Sequence, residues 1–196
     1  MSELLELDAA AFSFVNRSLA CASLDYLFWA MTLLGNGAVQ GAFILWLWVM
    51  GRPRGAVRTG SLCFWALMLS TAIAQGLKHA FHRPRPLLVL DDVRLLVDPL
   101  MGNSFPSGHA ATSFALATIV SATCPKWRWP AWIIALLVGI SRVYVGVHFP
   151  SDILASAVIG VLSGIVVLRI ADRVRGAHAG GRRGTLGSRK VFSHRY

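Results

Sequence analysis

Five long stretches of this chain carry no Asp, Glu, Lys or Arg. They are residues 26–51, 59–77, 99–125, 129–141 and 153–168. Several approach the roughly 20 residues that a helix needs to cross a bilayer core of about 30 Å. Only 14% of the 196 residues are charged and 55% are hydrophobic, whereas soluble domains average about 25% charged residues. The sequence therefore predicts an all-α fold, a polytopic transmembrane helical bundle.

The charge-free runs place about five membrane helices along the chain. They lie near residues 36–51, 57–79, 108–123, 129–146 and 151–171. Residues 7–20 form either an amphipathic helix in the outer interface or a sixth span. We favour the N-terminal interfacial helix, since Asn16 and Arg17 fall in mid-segment, and we expect it to turn Asp8, Asn16 and Arg17 toward water. The bundle thus has five to six membrane helices.

Three regions follow from this layout. Residues 1–35 are an N-terminal interfacial or membrane-associated helical segment, residues 36–171 the transmembrane domain and residues 172–196 a basic cytoplasmic tail. The tail is rich in Gly and basic residues without periodicity, which favours disorder. Much of the net charge of +10 lies there, and we expect it to attract anionic lipid headgroups. Nucleic-acid binding is disfavoured, because neither a soluble recognition fold nor a basic face interleaved with aromatic residues is evident.

Orientation follows from the distribution of the basic residues. In this topology thirteen of the 19 Lys and Arg residues fall on one side, which the positive-inside rule makes cytoplasmic. The other six are Arg17, Lys78, Arg83, Arg85, Arg94 and Arg142. The outer face thus carries both the loop 78–107 and the stretch 141–152, and four span ends that bear polar side chains could share one pocket there.

Three of these outer charges indicate a site for an anion. Lys78, Arg85 and Arg142 supply fixed positive charge, and arginine can bind two oxygens of one phosphate through its planar guanidinium. Ser107 and Gly108 lie where the third span begins. There, backbone N–H groups and the positive end of the helix dipole could point at the same anion, and glycine lets the backbone approach closely. We therefore predict a phosphate site formed by these five residues.

Two histidines and an aspartate beside the anion site suit phosphoryl transfer. His148 lies four residues before Asp152, a spacing that suits a carboxylate holding one ring nitrogen while the other attacks phosphorus. His109 is then free to protonate the leaving-group oxygen as a general acid. We predict His148 as the nucleophile, Asp152 as the residue that orients it and His109 as the acid, with no metal and no cofactor.

Three stretches of the chain together resemble the signature of the type 2 phosphatidic acid phosphatase (PAP2) superfamily. That signature reads Lys-x6-Arg-Pro, then Pro-Ser-Gly-His, then Ser-Arg-x5-His-x3-Asp. It is matched here by Lys78 with Arg85-Pro86, by Pro106-Ser107-Gly108-His109, and by Ser141-Arg142 with His148 and Asp152. Every position matches over residues 78–152, in order and on one membrane face.

The resemblance implies a metal-free, membrane-embedded helical phosphatase that works through a phosphohistidine on His148, with Asp152 as orienter and His109 as acid. It also implies that the phosphoryl group is bound by Lys78, Arg85, Ser107, Gly108 and Arg142. Family substrates that fit are undecaprenyl diphosphate, phosphatidylglycerophosphate, phosphatidic acid and lipid A 1-phosphate. The chain's size and outward-facing site resemble bacterial members, so we expect a bacterial cytoplasmic (inner) membrane location and undecaprenyl diphosphate as the first candidate. The expected partners are the lipid substrate and the bilayer, and no obligate protein partner is inferred.

Other polar residues near the signature receive simpler interpretations. Arg83 and Arg94 are expected to be interfacial anchors, and His79 and His82 surface histidines. Three further carboxylates of the same loop lack metal-ligand spacing and are assigned to solvent or headgroup contacts; they are Asp91, Asp92 and Asp98.

Two alternative functions stay open on the sequence. A non-catalytic membrane protein could bind or move an anionic lipid with the same basic pocket, although His148, Asp152 and His109 are more than binding requires. Soluble vanadate-dependent haloperoxidases share the anion constellation, but this chain is mostly membrane.

Overall fold

The computed structural model describes residues 2–50 and 54–187. Within these residues the chain forms seven α-helices and no strand, so the predicted all-α class is confirmed. The helices are α1 (Ser2–Ser13), α2 (Ala22–Leu34), α3 (Gly37–Met50), α4 (Arg54–Ala80), α5 (Gly108–Thr123), α6 (Arg128–Tyr144) and α7 (Pro150–Gly187). A π-helical turn at Phe14–Ser18 continues α1, and short 3₁₀ turns lie at Pro86–Leu88 and Pro125–Trp127.

Two of the described helices are long and apolar enough to cross a bilayer alone, Gly55–Ala80 within α4 and Pro150–Ala177 within α7. α2 and α3 would together make a third span, bent by 60° at the break between them. α5 and α6 have 16 and 17 residues, and at about 1.5 Å per residue both fall short of a hydrocarbon core of about 30 Å. The described helices that are long enough to span a bilayer are therefore fewer than the five to six predicted. The prediction was based on charge-free runs, which also include the connections between helices.

The last helix is longer than the predicted span. α7 begins within one residue of the expected start but continues to Gly187 instead of ending near residue 171. The described part of the tail, which its composition predicts to be disordered, is therefore helical. Residues 188–196 of the tail lie outside the described residues.

α5 is the central helix and packs against α4, α6 and α7. Small residues allow this, since Ala111 and Ala115 are completely buried on α5 and two glycines of α7 face them. A Cβ at Gly160 would lie 2.2 Å from the Ala111 carbonyl oxygen, and one at Gly164 would lie 2.6 Å from Thr118 Cβ. The backbones of α5 and α7 are therefore in direct contact, as is common for helices packed in membranes.

Large apolar side chains cover the outside of the bundle. Trp46, Trp65, Leu154 and Leu162 are all exposed, although they lie within the apolar helices α3, α4 and α7. Exposed apolar surface of this extent is unfavourable in water and favourable against lipid chains. The outer surface thus supports the predicted membrane location.

The N-terminal segment does not turn its polar residues toward water as predicted. Asn16 is completely buried, and its Nδ2 donates to the carbonyl oxygens of Arg94 and Tyr144 at 2.8 Å each. The Asp8 side chain is only 9% exposed, whereas Arg17 is exposed as expected. The prediction for Asp8 and Asn16 was wrong because this segment packs across the bundle end, where buried backbone and side-chain groups need polar partners.

The connection 81–107 lies over the turn 145–149 that joins α6 to α7. The N–H of Leu96 donates to the Val145 carbonyl at 3.4 Å, and that of Ser104 donates to the Arg83 carbonyl at 2.8 Å. Gly146 has a φ of +89°, and a Cβ there would lie 2.5 Å from the Arg94 carbonyl oxygen. Glycine is needed at this turn for its conformation and for the close approach of the connection.

Candidate active site

Four helix ends meet at one end of the bundle: the C-terminal ends of α4 and α6 and the N-terminal ends of α5 and α7. The turn 145–149 and the connection 81–107 close the same end. This end holds all eight predicted site residues, which are Lys78, Arg85, Ser107, Gly108, His109, Arg142, His148 and Asp152. These residues are close enough to interact electrostatically, since the charges of the three basic residues and of His148 act on His109.

Arg142 is a buried cation with unused donor capacity. Only 3% of the residue is exposed, and its Nη1 donates to Thr32 Oγ1 of α2. Its Nε is buried without any hydrogen-bond partner. A buried guanidinium N–H left unpaired is costly, so this arrangement favours a ligand that accepts hydrogen bonds.

Arg85 and Lys78 add positive charge beside Arg142. Arg85 is 6% exposed, and its guanidinium is fixed by the carbonyl oxygens of Gly102 (Nε, 3.2 Å) and Val147 (Nη1, 2.9 Å). Lys78 is half-buried and interacts electrostatically with both arginines. Three like charges at one buried end repel one another, and an anion would remove that repulsion.

The N-terminal end of α5 lies at the same end of the bundle as these three cations. Ser107 is the N-cap residue, and its Oγ accepts from the N–H of Ala110 at 3.5 Å. A Cβ at Gly108 would meet no atom within 4 Å, so there is open space beside this first turn. The Ser107 N–H donates to Ser156 Oγ (2.8 Å), which itself donates to the Asp152 carbonyl (2.6 Å). Ser156 thus fixes α5 relative to α7 at the site.

Asp152 faces His148 through one carboxylate oxygen. Its Oδ2 lies 3.6 Å from His148 Nδ1 and accepts from Ser104 Oγ (2.5 Å) and from the Phe149 N–H (2.9 Å). Ser104 Oγ is also 3.5 Å from His148 Nδ1. Since an ionised carboxylate only accepts, this contact favours a proton on Nδ1 and leaves Nε2 with a free lone pair. The arrangement supports the predicted orienting role of Asp152.

His148 lies in the turn between α6 and α7 and is buried. Burial lowers the pKa of His148 to about 4, and the charges of Arg142 and Arg85 act in the same direction, while Asp152 opposes them. Above that pH the ring is neutral. A neutral imidazole is the form that can attack phosphorus.

This pKa predicts the acidic side of the pH profile. Below about pH 4 His148 would take up a proton and lose its lone pair, so kcat/KM should fall as the pH drops through that value instead of near 6.5. On the alkaline side kcat should fall when His109, next to the bound phosphate, loses the proton that it donates. Initial rates on a lipid phosphate from about pH 3 to about pH 9 measure both limbs. A flat profile would contradict the division of roles between the two histidines.

His109 lies in the first turn of α5, against the bend between α2 and α3. A Cβ at Gly35 would lie 3.0 Å from His109 Cδ2 and 2.6 Å from Val138 Cγ1. Glycine at this bend therefore makes room for the imidazole. The ring stands among the cationic side chains that would hold the phosphoryl group, a position suited to protonating an oxygen of the same group.

Four residues near the site were not assigned to it from the sequence. Ser104, Thr32 and Ser156 contact predicted site residues through short polar side chains, which carry no pattern in the sequence. Arg83 was expected to be an interfacial anchor, but it forms a salt bridge with Asp152 at 2.7 Å. The only available signal was its position between Lys78 and Arg85, inside the signature.

The other polar residues of the connection stay outside the site. Asp92 forms an exposed salt bridge with Arg17 at 3.3 Å. Arg94 pairs with Asp25 of α2 and lies over the Tyr144 ring, so it ties the connection to α2 and α6. Four further residues are exposed, as expected; they are His79, His82, Asp91 and Asp98.

An apolar groove of about 560 Å³ runs along α5 between α3 and α6. Its end nearest the site contains Gln40 and Ser113, joined by a hydrogen bond of 3.0 Å from Gln40 Nε2 to Ser113 Oγ. Ser113 is one helical turn from His109 on α5. Phe43 and Ile134 are among the apolar residues that line the groove farther along. The groove thus begins one helical turn from His109, is lined by none of the eight predicted site residues, and continues along α5 as far as Cys124.

Solved structures share this fold. The crystal structure of Aquifex aeolicus LpxE aligns with a TM-score of 0.75 and 34% identity, covering 83% of this chain and 95% of that one. The crystal structure of the first transmembrane PAP2 type phosphatidylglycerolphosphate phosphatase from Bacillus subtilis aligns with a TM-score of 0.74 and 25% identity, covering 89% of both chains. The transmembrane bundle is therefore a known architecture.

The sequence itself also matches curated relatives and a protein family. Undecaprenyl-diphosphatase BcrC of Bacillus subtilis (strain 168) is 35% identical over 95 residues, which are 48% of this chain and 49% of that protein. The chain thus spans about half the length of the curated relatives that it matches. Residues 60–175 match the PAP2 superfamily. This segment covers more than half of the chain and includes the three stretches that meet at the bundle end, and the chain therefore belongs to the PAP2 superfamily.

Proposed function

We propose that this integral membrane protein is a metal-independent lipid phosphatase with its active site on the outer face of a bacterial cytoplasmic membrane. The observation that carries the proposal is the meeting of buried cations with a histidine–carboxylate pair at one end of an apolar bundle. Arg142 brings a buried, unpaired N–H, and His148 and Asp152 are both buried beside it. Binding alone would not need an oriented, neutral imidazole.

In the first step His148 Nε2 attacks the phosphorus atom of the substrate. An N–P bond forms and the P–O bond to the leaving group breaks, while His109 gives its proton to the departing oxygen. The leaving group is a lipid alcohol for a phosphomonoester and a lipid monophosphate for a diphosphate. Lys78, Arg85 and Arg142, with the N–H groups at the start of α5, stabilise the charge on the equatorial oxygens.

In the second step water attacks the phosphohistidine. His109 takes a proton from that water, the N–P bond breaks and inorganic phosphate leaves with His148 neutral again. Asp152 remains a carboxylate throughout and holds Nδ1–H, so that positive charge developing on the ring is stabilised. Each cycle consumes one water and returns both histidines to their initial states.

The substrate is a lipid whose phosphate lies at headgroup level. The apolar groove that begins at Ser113, one helical turn from His109, has a volume of about 560 Å³. This volume is within the roughly 300–1,000 Å³ of ligand pockets, and the groove suits a hydrocarbon chain attached to the reacting phosphate. Undecaprenyl diphosphate is our first candidate, supported by the name of the Bacillus subtilis relative. Phosphatidylglycerophosphate, phosphatidic acid and lipid A 1-phosphate are the other candidates.

The outer location rests on charge distribution. Most Lys and Arg residues of the described chain fall toward the opposite end of the bundle from His148, at the start of α4, around the connection between α5 and α6, and on the part of α7 beyond residue 168. The positive-inside rule makes that end and the C-terminus cytoplasmic.

Purified protein in detergent tests the activity directly. We expect release of inorganic phosphate from undecaprenyl diphosphate to exceed release from the other three candidate lipids, and to be unchanged by a chelator such as EDTA, because the mechanism uses only side chains. Phosphate release is measured with and without chelator at matched lipid and detergent concentrations. Glycerol 3-phosphate serves as a control substrate without a chain, and we expect its turnover to be slow.

Two outcomes would contradict the proposal. Loss of activity on chelation, restored by a divalent cation, would contradict the metal-free mechanism. A folded protein that binds these lipids and releases phosphate from none of them would favour the alternative of a lipid-binding or transport protein.

A further inference from the structure

The Arg83 guanidinium joins the predicted orienting carboxylate to the N-terminal helix. Its Nη1 donates to Asp152 Oδ1 at 2.7 Å and to Ser151 Oγ at 2.6 Å. Its Nη2 donates to Asp8 Oδ2 at 2.6 Å. One arginine thus lies between a carboxylate of α7 and a carboxylate of α1.

The orientation of Arg83 is fixed from several sides. Asp8, whose side chain is 9% exposed, also accepts from the Ser151 N–H at 3.0 Å and from the Ser151 hydroxyl. The guanidinium carbon lies 4.4 Å above the centre of the Phe149 ring, and that ring packs on Phe12 of α1 with 5.6 Å between centres. Side chains of α1 therefore contribute to both the charge partner and the apolar support of Arg83.

These contacts determine which way the Asp152 carboxylate faces. Asp152 is completely buried, and a buried carboxylate needs a paired charge and hydrogen bonds to remain ionised. Arg83 occupies Oδ1, so Oδ2 is the oxygen left for His148, Ser104 and the Phe149 N–H. Without Arg83 the carboxylate could rotate about its Cβ–Cγ bond, and the Nδ1–H of His148 would lose a fixed acceptor.

We propose that Arg83 and Asp8 act as a positioning pair: Arg83 orients Asp152, and through it the imidazole of His148, while Asp8 holds Arg83 in place. The inference rests on the proposed phosphatase function. It makes α1 a part of the active site, although Asp8 lies outside residues 60–175 that match the superfamily. Neither residue touches the substrate, so both act through Asp152.

Steady-state kinetics of four variants test the pair: Arg83→Gln, Arg83→Lys, Asp8→Asn and the double variant Asp8→Asn/Arg83→Gln. We expect Arg83→Gln to lower kcat about 10- to 100-fold with KM nearly unchanged, the size of effect found when a partner that orients a metal-binding histidine is removed. Arg83→Lys keeps the charge and should recover part of the loss. Asp8→Asn should lower kcat less, and the double variant should equal Arg83→Gln alone, since coupled residues are not additive.

The exposed pair Arg17–Asp92 provides a matched control. It joins the same N-terminal segment to the same connection, at 3.3 Å, but both side chains are more than half exposed. The variants Arg17→Gln and Asp92→Asn should leave kcat within about twofold of wild type, because exposed salt bridges contribute little. If activity required only that the N-terminal segment be attached to the connection 81–107, these control variants would lose activity as well.

Three results would overturn the inference. The first is a folded Arg83→Gln protein with wild-type kcat. The second is multiplicative losses in the double variant, because Asp8 would then act independently of Arg83. The third is a control pair that loses as much activity as Arg83→Gln. If Arg83→Gln does not fold, Arg83→Lys and Asp8→Asn decide by the same kcat criterion. A wild-type protein without phosphatase activity would instead refute the proposed function itself.

Discussion

His148→Ala should abolish phosphate release, lowering kcat by at least about 10⁴-fold, as expected when a nucleophile and its covalent route are removed. The residue is 3% exposed and receives its orientation from Asp152 and Ser104, whereas His79, His82 and His109 form no salt bridge with a carboxylate of the described chain. Two measurements check the prediction. One is phosphate release, and the other is labelling of the protein by a substrate carrying radioactive phosphorus, quenched in alkali because phosphohistidine is lost in acid.

His82→Ala is the matched control, since His82 is exposed and lies on the neighbouring connection. It should keep wild-type turnover and labelling. Label retained in the His148→Ala protein would mean that another residue is the nucleophile. Turnover retained without any label in the wild type would favour direct attack by water.

Arg142→Ala should lower kcat/KM by about 10²–10³-fold, the typical loss when one donor aimed at transition-state charge is removed. Arg142→Lys should recover only part of it, since an ammonium cannot bind two oxygens in the fixed geometry of a guanidinium. The measurement is kcat/KM together with inhibition by inorganic phosphate, which should weaken in the Ala variant because the same donors hold phosphate.

The Arg142→Ala protein should remain folded, which makes its loss of activity interpretable. Its guanidinium is buried near two other cations and its Nε has no partner, so removing it relieves repulsion and an unsatisfied donor. We expect the thermal midpoint in detergent to be equal to or above that of wild type. Arg17→Ala, at an exposed position, is the control for activity. An Arg142→Ala protein within tenfold of wild-type kcat/KM would remove this residue from the site.

Most helices could be predicted from the sequence because their charge-free runs end where polar residues begin. α5 coincides with the predicted span 108–123, and α3 differs from its span by one residue at each end. α2 was not distinguished as a separate helix within the helical segment predicted for residues 1–35, since Asp25 interrupts its apolar pattern. In the structure that carboxylate pairs with Arg94 and accepts from the Tyr144 hydroxyl at 2.7 Å. These tertiary contacts stabilise a charged residue within the helix, and hydropathy along the sequence cannot reveal them.

Some residues of the candidate site could be predicted from the sequence and others could not. Arg142 and His148 could be proposed as site residues from the sequence. A charged or ionisable side chain within an apolar segment is energetically costly and usually has a function. Ser104 and Asp8 could not be identified in this way, and neither could the pairing of Arg83 with Asp8. Their roles depend on contacts between residues that lie more than forty positions apart in the sequence. Serines and surface-like acidic residues are too common for their type alone to indicate such contacts.

The close packing of α5 on α7 at Gly160 and Gly164 also limits how the bilayer can influence the chemistry. Helices in backbone contact move as one body, so His109 on α5 and Asp152 on α7 keep their spacing when lipid composition changes the thickness and lateral pressure of the membrane. The bent pair α2 and α3 has no comparable contact with α7. Deformation of the membrane should therefore alter the approach to the site through α2 and α3, leaving the relative positions of acid and orienting carboxylate unchanged.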